Sequence, residues 1–151
     1  SFGWDAPTVN FNQSGGTFNL LGINVANSHP NSAVYHLTGG RLNLGASGIT
    51  TNVAKSIRLG GGTLGAFANW TSSQPVELTG TGGDVTVNTL DSVDGATARS
   101  IILTGQVSGT GGLTKSGNGT LSLEADGSGC SGMTPRRGRR GAGPCQIGLG
   151  P

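Results

Sequence analysis

Three charged residues come nearest to a chemical constellation. Asp91 and Asp94 share one short stretch, Asp91-Ser92-Val93-Asp94, and Arg99 follows closely. Paired carboxylates across a groove are what glycoside hydrolysis needs. Acids with a basic residue on one face are the set a polysaccharide lyase uses on a β-helix. The plainer reading is a polar loop that bulges before Ile101, and that reading is preferred. Other candidates are weaker. Gly109-Thr110-Gly111-Gly112-Leu113-Thr114-Lys115-Ser116 has the look of a phosphate-binding loop, but Thr114 stands where that motif needs Gly and no helix follows. Gly82-Gly83-Asp84 occurs once, out of the pattern of a calcium-binding nonapeptide repeat. His29 and His36 lack a Cys or acid at metal-ligand spacing, and Cys130 and Cys145 stand apart from any partner set. Both histidines read as solvent-facing. Trp4 and Trp70 would serve as sugar-stacking platforms if exposed, although Trp70 reads better as a corner residue. The expectation is therefore no catalytic residue, no metal and no cofactor.

Composition limits what could position such groups. The chain has 151 residues, 30 of them Gly, with 15 Ser, 17 Thr and 11 Asn; charged residues make up 11% and aromatics 5%. Charge is too low for a charged disordered tail. Ala, Glu, Lys and Leu are too scarce for a helical bundle, and Gly does not recur every third residue as in collagen. An all-β protein with many tight turns remains. The formal net charge of +2 hides an asymmetry. All seven acids lie within residues 1–126 with five bases, a balance of −2, and the other four bases are Arg136, Arg137, Arg139 and Arg140. No apolar run approaches the roughly 20 residues of a membrane helix. The chain starts at Ser1 and reads as an excised or processed piece.

Two motifs recur. The first is Gly, any residue, apolar, any residue, apolar, as in Gly16-Thr17-Phe18-Asn19-Leu20. Its glycines stand at 16, 40, 62, 83 and 119, in steps of 24, 22, 21 and 36. The second runs Tyr35-His36-Leu37-Thr38-Gly39, Ile57-Arg58-Leu59-Gly60-Gly61, Val76-Glu77-Leu78-Thr79-Gly80 and Ile101-Ile102-Leu103-Thr104-Gly105, with its Leu positions stepping by 22, 19 and 25. Each alternates as a half-buried strand does. A strand of five residues cannot bury its apolar face alone, and stacking similar coils solves that. The shared period predicts an all-β, right-handed parallel β-helix of about five to six coils over residues 1–126. The Gly16, Gly40, Gly62 and Gly83 strands should then be in-register neighbours with Leu20, Leu44, Ala66 and Val87 stacked inside. An antiparallel sandwich is the competing architecture. Asn19 and Asn43, one coil apart, would form a short amide ladder. Glu77 and Arg99, 22 apart, would pair across adjacent coils.

The segment from Ile101 to Leu123 resembles the autotransporter-associated β-strand repeat of large bacterial surface and secreted proteins. The resemblance rests on Ile101, Leu103, Gly105, Ser108, Gly109, Gly111, Gly112, Leu113, Lys115, Gly117, Gly119, Thr120, Leu121 and Leu123. It extends well over residues 39–126 and more loosely before them. It implies an exported, mostly non-catalytic β-helical passenger segment, structural or adhesive, at the outer cell surface or outside the cell. Its partner would be a glycan or another surface protein; no nucleic acid is expected, and the segment would not span a membrane. A carbohydrate-binding or polysaccharide-lyase-type β-helix is the alternative. The chain departs from the family pattern at residues 127–151, a Gly/Arg/Pro-rich tail containing Pro135-Arg136-Arg137-Gly138-Arg139-Arg140-Gly141. That run reads as a local reading-frame error, with a genuine basic insertion as the other account. Either way the tail should be irregular and Arg136 to Arg140 exposed.

Overall fold

The computed structural model describes residues 8–24, 32–50, 56–124 and 146–147. Described residues form strands and turns only, wound as a β-solenoid with three faces. The first face stacks β1 (Thr8–Gln13), β3 (Ser32–Leu37), β5 (Ser56–Leu59), β8 (Val76–Leu78) and β11 (Val107–Gly109) in that order, all parallel. The second stacks β2 (Thr17–Asn24), β4 (Arg41–Thr50), β6 (Thr63–Ala66), β9 (Val85–Asp91) and β12 (Leu113–Ser116), again all parallel. The third holds β7 (Trp70–Ser72), β10 (Ser100–Leu103) and β13 (Thr120–Leu123), with β14 (Gln146–Ile147) antiparallel on the outer edge of β13. In the earliest passes this face is made by the far halves of β2 and β4, beyond a register break between Leu20 and Gly22. Ser72 Oγ donates to the carbonyl of Ile49 at 3.0 Å, joining β7 to β4.

Alternation decides what points inward, as in any half-buried strand. On the first face Phe11, Tyr35, Ile57, Val76 and Val107 form one inner column and Gln13, Leu37, Leu59 and Leu78 the next. On the second face Phe18, Leu42, Leu64 and Val87 are aligned. Full burial of each such side chain stabilises the fold by about 1.5–3 kcal/mol. Burial must be repeated coil by coil, because no thick core exists. Two inner groups of the first face are polar. Gln13 is buried, donates through Nε2 to the Arg41 carbonyl at 3.0 Å, and accepts the Tyr35 hydroxyl. Burial pushes the Tyr35 phenol up to about 12, so its neutral, hydrogen-bonding form persists inside.

The corner between the first two faces is built from glycine. Gly16, Gly40 and Gly62 all have φ between +70° and +74°. Successive corners are tied together: Arg41 N donates to Gly16 O at 2.8 Å and Thr63 N to Gly40 O at 2.9 Å. Only a residue without Cβ adopts that φ freely and lets the next coil lie against it.

The structure corrects the expected register in several places. The first three Gly motifs stack as expected, with Leu20, Leu44 and Ala66 aligned. At the fourth, Val87 faces Leu64 rather than Ala66, and Asp91 faces Ala66. The slip is an even number of residues, so the apolar side still faces inward. The Gly119 motif is β13 on the third face, and β12 takes the fifth place on the second. Likewise the Ile101 motif is β10 on the third face, and β11 continues the first. The described strands stack five deep on the two main faces, about four turns. The fourth pass is long, because the chain leaves the coil between Asp91 and Arg99 before forming β10. The antiparallel sandwich is excluded by the parallel pairing of both main faces. The boundary at residue 126, the Arg136–Arg140 run, Cys130, Cys145, His29 and Trp4 lie outside the described residues.

Candidate functional site

The excursion from Asp91 to Arg99 holds the residues that sequence reasoning placed nearest to chemistry. It is a small antiparallel loop closed by a bridge between Leu90 and Ala98, with Asp91 N donating to Thr97 O at 2.8 Å. Gly95, at φ +66°, turns the tip. Asp91 lies at the base, 4% exposed. Its Oδ1 accepts the Val93 N–H at 2.7 Å, and its Oδ2 accepts both the Nε of Arg99, at 2.8 Å, and that guanidinium's Nη2. The Val93 N–H and then the Arg99 guanidinium hold the Asp91 carboxyl below its usual range. Asp94 turns back on its own loop, accepting the Ala96 N–H at 2.8 Å, the Thr97 N–H at 2.9 Å and the Thr97 hydroxyl. These bonds, the Thr97 hydroxyl first, hold its carboxyl down to about 2.

Both carboxylates are therefore kept ionised. A general acid–base residue works best with a pKa near the operating pH, and these environments push in the opposite direction. Asp91 and Arg99 are brought together, while Asp94 is spent on the turn. What the arrangement does chemically is to pin an excursion to the coil. It also carries a pH signature. An unfolded Asp titrates near about 3.9. Depression in the folded state gives stability that is complete above that value and is lost as pH falls through about 2. Thermal melts from about pH 5 downward should show an acid limb, and Asp94→Asn should flatten it. An unchanged limb in the variant would show that Asp94 does not contribute.

The remaining candidates resolve as follows. Glu77 does not meet Arg99; its Oε2 accepts the Nε of Arg58 at 2.8 Å, its in-register neighbour on β5. The true partner lies 19 residues back in the chain rather than 22 onward. Both members of the Arg58–Glu77 pair are nearly half exposed, and such pairs contribute no more than about 1 kcal/mol. Asp84 Oδ1 accepts the Gly112 N–H at 3.2 Å, holding the turn of the next coil. Glu124 Oε1 accepts the Ser122 hydroxyl at 3.1 Å. His36 is half-buried on the outer side of β3, with Nε2 3.5 Å from Thr79 Oγ1. Trp70 is buried at the start of β7, so it offers no platform for a sugar. Asn43 Nδ2 donates to Asn19 Oδ1 at 2.7 Å, the expected ladder. The ladder stops at Gly65, which faces Asn43 and leaves Asn43 Oδ1 buried without a hydrogen bond.

The inward position of one residue was missed. Lys115 stands opposite Val87, two residues beyond buried Leu113, on the inward side of β12. Its Nζ donates to Gly117 O at 2.7 Å, and burial lowers its pKa. The run Gly109–Ser116 is strand and turn rather than a phosphate cradle. The signal for Lys115 was its spacing from Leu113 within an alternating strand. Among the described residues no group of three His, Cys, Asp or Glu could hold a metal ion, and no helix is long and apolar enough to cross a membrane. No protein-family model, no curated protein and no solved structure matches this chain.

Proposed function

We propose that this chain is a structural, non-catalytic segment of an exported bacterial surface protein, a passenger-type β-solenoid. The observation that carries the reading is the use of its acids. Glu77, Asp84, Asp91, Asp94 and Glu124, all the acids among the described residues, are each bonded to a partner that fixes a coil or a turn. An active site needs polar groups converging on vacant space, whereas these converge on the protein itself. The resemblance of residues 101–123 to the autotransporter-associated repeat supports export and a surface location. The outer side of the first face supplies a regular row of Asn12, His36, Arg58, Glu77 and Ser108 in register. A glycan chain or another surface protein would lie along that row.

Two measurements test the proposal. Antibody raised against the chain should label intact cells of the source bacterium; labelling only after lysis would overturn the surface assignment. Purified protein incubated with a panel of acidic polysaccharides should release no unsaturated product. Cleavage by the wild type that is lost in the combined Asp91→Asn, Asp94→Asn, Arg99→Gln variant would establish the lyase instead.

A further inference from the structure

Amide chemistry singles out the corner between β12 and β13. Of the 11 Asn in the chain, Asn118 alone is followed by Gly. The others precede Phe, Gln, Leu, Val, Ser, Trp or Thr, whose side chains shield the next backbone nitrogen. Asn118 is exposed, and its side-chain amide bonds to no described residue. The Gly119 N–H also donates to no described residue, although Gly119 is buried and buried N–H groups are almost always paired. An unbonded backbone nitrogen therefore follows an exposed amide, and Gly119 carries no Cβ to obstruct their approach. Asp94-Gly95 has the same spacing and the opposite environment. The Asp94 carboxylate accepts the Ala96 and Thr97 N–H groups and the Thr97 hydroxyl, and Gly95 N donates to Asp91 O at 2.8 Å. Both reacting groups are held there, and an ionised carboxylate resists attack.

We infer that Asn118-Gly119 is a self-modifying site, at which the folded chain converts Asn118 to a mixture of aspartate and isoaspartate. The Gly119 nitrogen gives its proton to solvent base and bonds to Asn118 Cγ. The bond from Cγ to the side-chain nitrogen breaks, and ammonia leaves with a proton from water. Water then opens the five-membered succinimide. Opening at Cγ gives aspartate. Opening at the Asn118 main-chain carbonyl gives isoaspartate, whose main chain runs through Cβ and is longer by that atom. The sum is hydrolysis of an amide to a carboxylate and ammonium, with no change of oxidation state.

This corner has no slack for a longer chain. Gly117, Asn118 and Gly119 alone join β12 to β13. Register fixes β12 on β9 and β13 on β10, and Thr120 N donates to Arg99 O at 3.0 Å. Even a methyl group on Gly119 would overlap the carbonyls of Arg99 and Thr89. Isoaspartate therefore displaces β13 against β10, and the modification loosens the last described coil.

Peptide mapping by mass spectrometry, on the full chain held folded in warm, mildly alkaline buffer, tests this. The amide-to-acid mass change should appear in the tryptic peptide that begins at Ser116, roughly tenfold faster or more than at any other Asn. It should give products of equal mass that separate on chromatography. Asn118→Ala should abolish the change and leave the circular dichroism as it was. The isoaspartate-rich fraction should melt below the fresh chain. Asn118→Asp adds the charge without lengthening the chain, and it should melt with the fresh chain. An amide that survives in the folded chain while the free peptide Ser116–Thr120 loses it would overturn the proposal, because the fold would then protect this corner. So would conversion that leaves the melting temperature unchanged.

Discussion

Gly40→Ala should destabilise the protein by about 3 kcal/mol or more, while Gly16→Ala should cost only about 1–2 kcal/mol. The two glycines have nearly the same backbone, φ +74° and +70°, so the strain of a side chain in the left-handed region is common to both. They differ in what lies beneath. A methyl group at Gly40 would overlap the carbonyl of Gly16 and the backbone of Gly15, neither of which can rotate away. At Gly16 it would meet nothing within 4 Å. Urea unfolding of the two variants, read as midpoint at constant m, gives the difference directly. Equal costs within about 0.5 kcal/mol, the usual margin of such comparisons, would mean that the coils do not stack at this corner.

Leu64→Ala should cost about 2–5 kcal/mol. Leu64 is 1% exposed and lies between Leu42 and Val87 in the inner column. Sheet spacing fixes the coils above and below, so they cannot collapse into the space a truncated side chain leaves. The cost should therefore fall in the upper part of that range. Differential scanning calorimetry or urea unfolding would measure it, and a loss below about 1 kcal/mol would show a column looser than the aligned register requires.

The solenoid was legible in the sequence because its constraint repeats. Doubled glycines at 15–16, 39–40 and 61–62 mark the same corner three times, and the residues after them stack as the period demanded. What could not be read was which face a strand belongs to. A period of two tells inside from outside and nothing more, so the Gly119 and Ile101 motifs were placed with strands that they resemble but do not pair with. A clue was available: the Gly119 copy follows Asn118, whereas Gly111-Gly112 keeps the doubled corner and precedes the true fifth strand, β12.

The candidate site was half legible. Asp91, Asp94 and Arg99 were close enough in sequence for an association, and Arg99 does bond Asp91. That Asp91 would occupy the inner column beside Ala66 was not readable, because three residues separate it from Val87 where one separates Ala66 from Leu64. The Arg58–Glu77 pair was missed for the opposite reason: its members stand 19 apart, closer than the 22-residue step used to look for partners. Lys115 entered the sequence reading only as part of a rejected phosphate-loop motif and of the repeat, and its inward place in the last described coil was not foreseen.

Methyl-labelled NMR of the full chain tests the stacked register most directly. Nuclear Overhauser contacts should run from Leu42 to Leu64 and from Leu64 to Val87, residues that are aligned across parallel strands. Backbone contacts between β4 and β6 and between β6 and β9 should be those of parallel pairing, without the close Hα–Hα pairs of antiparallel strands. Close Hα–Hα contacts between any of these strands, or methyl contacts from Leu64 to Val85 in place of Val87, would contradict the solenoid described above.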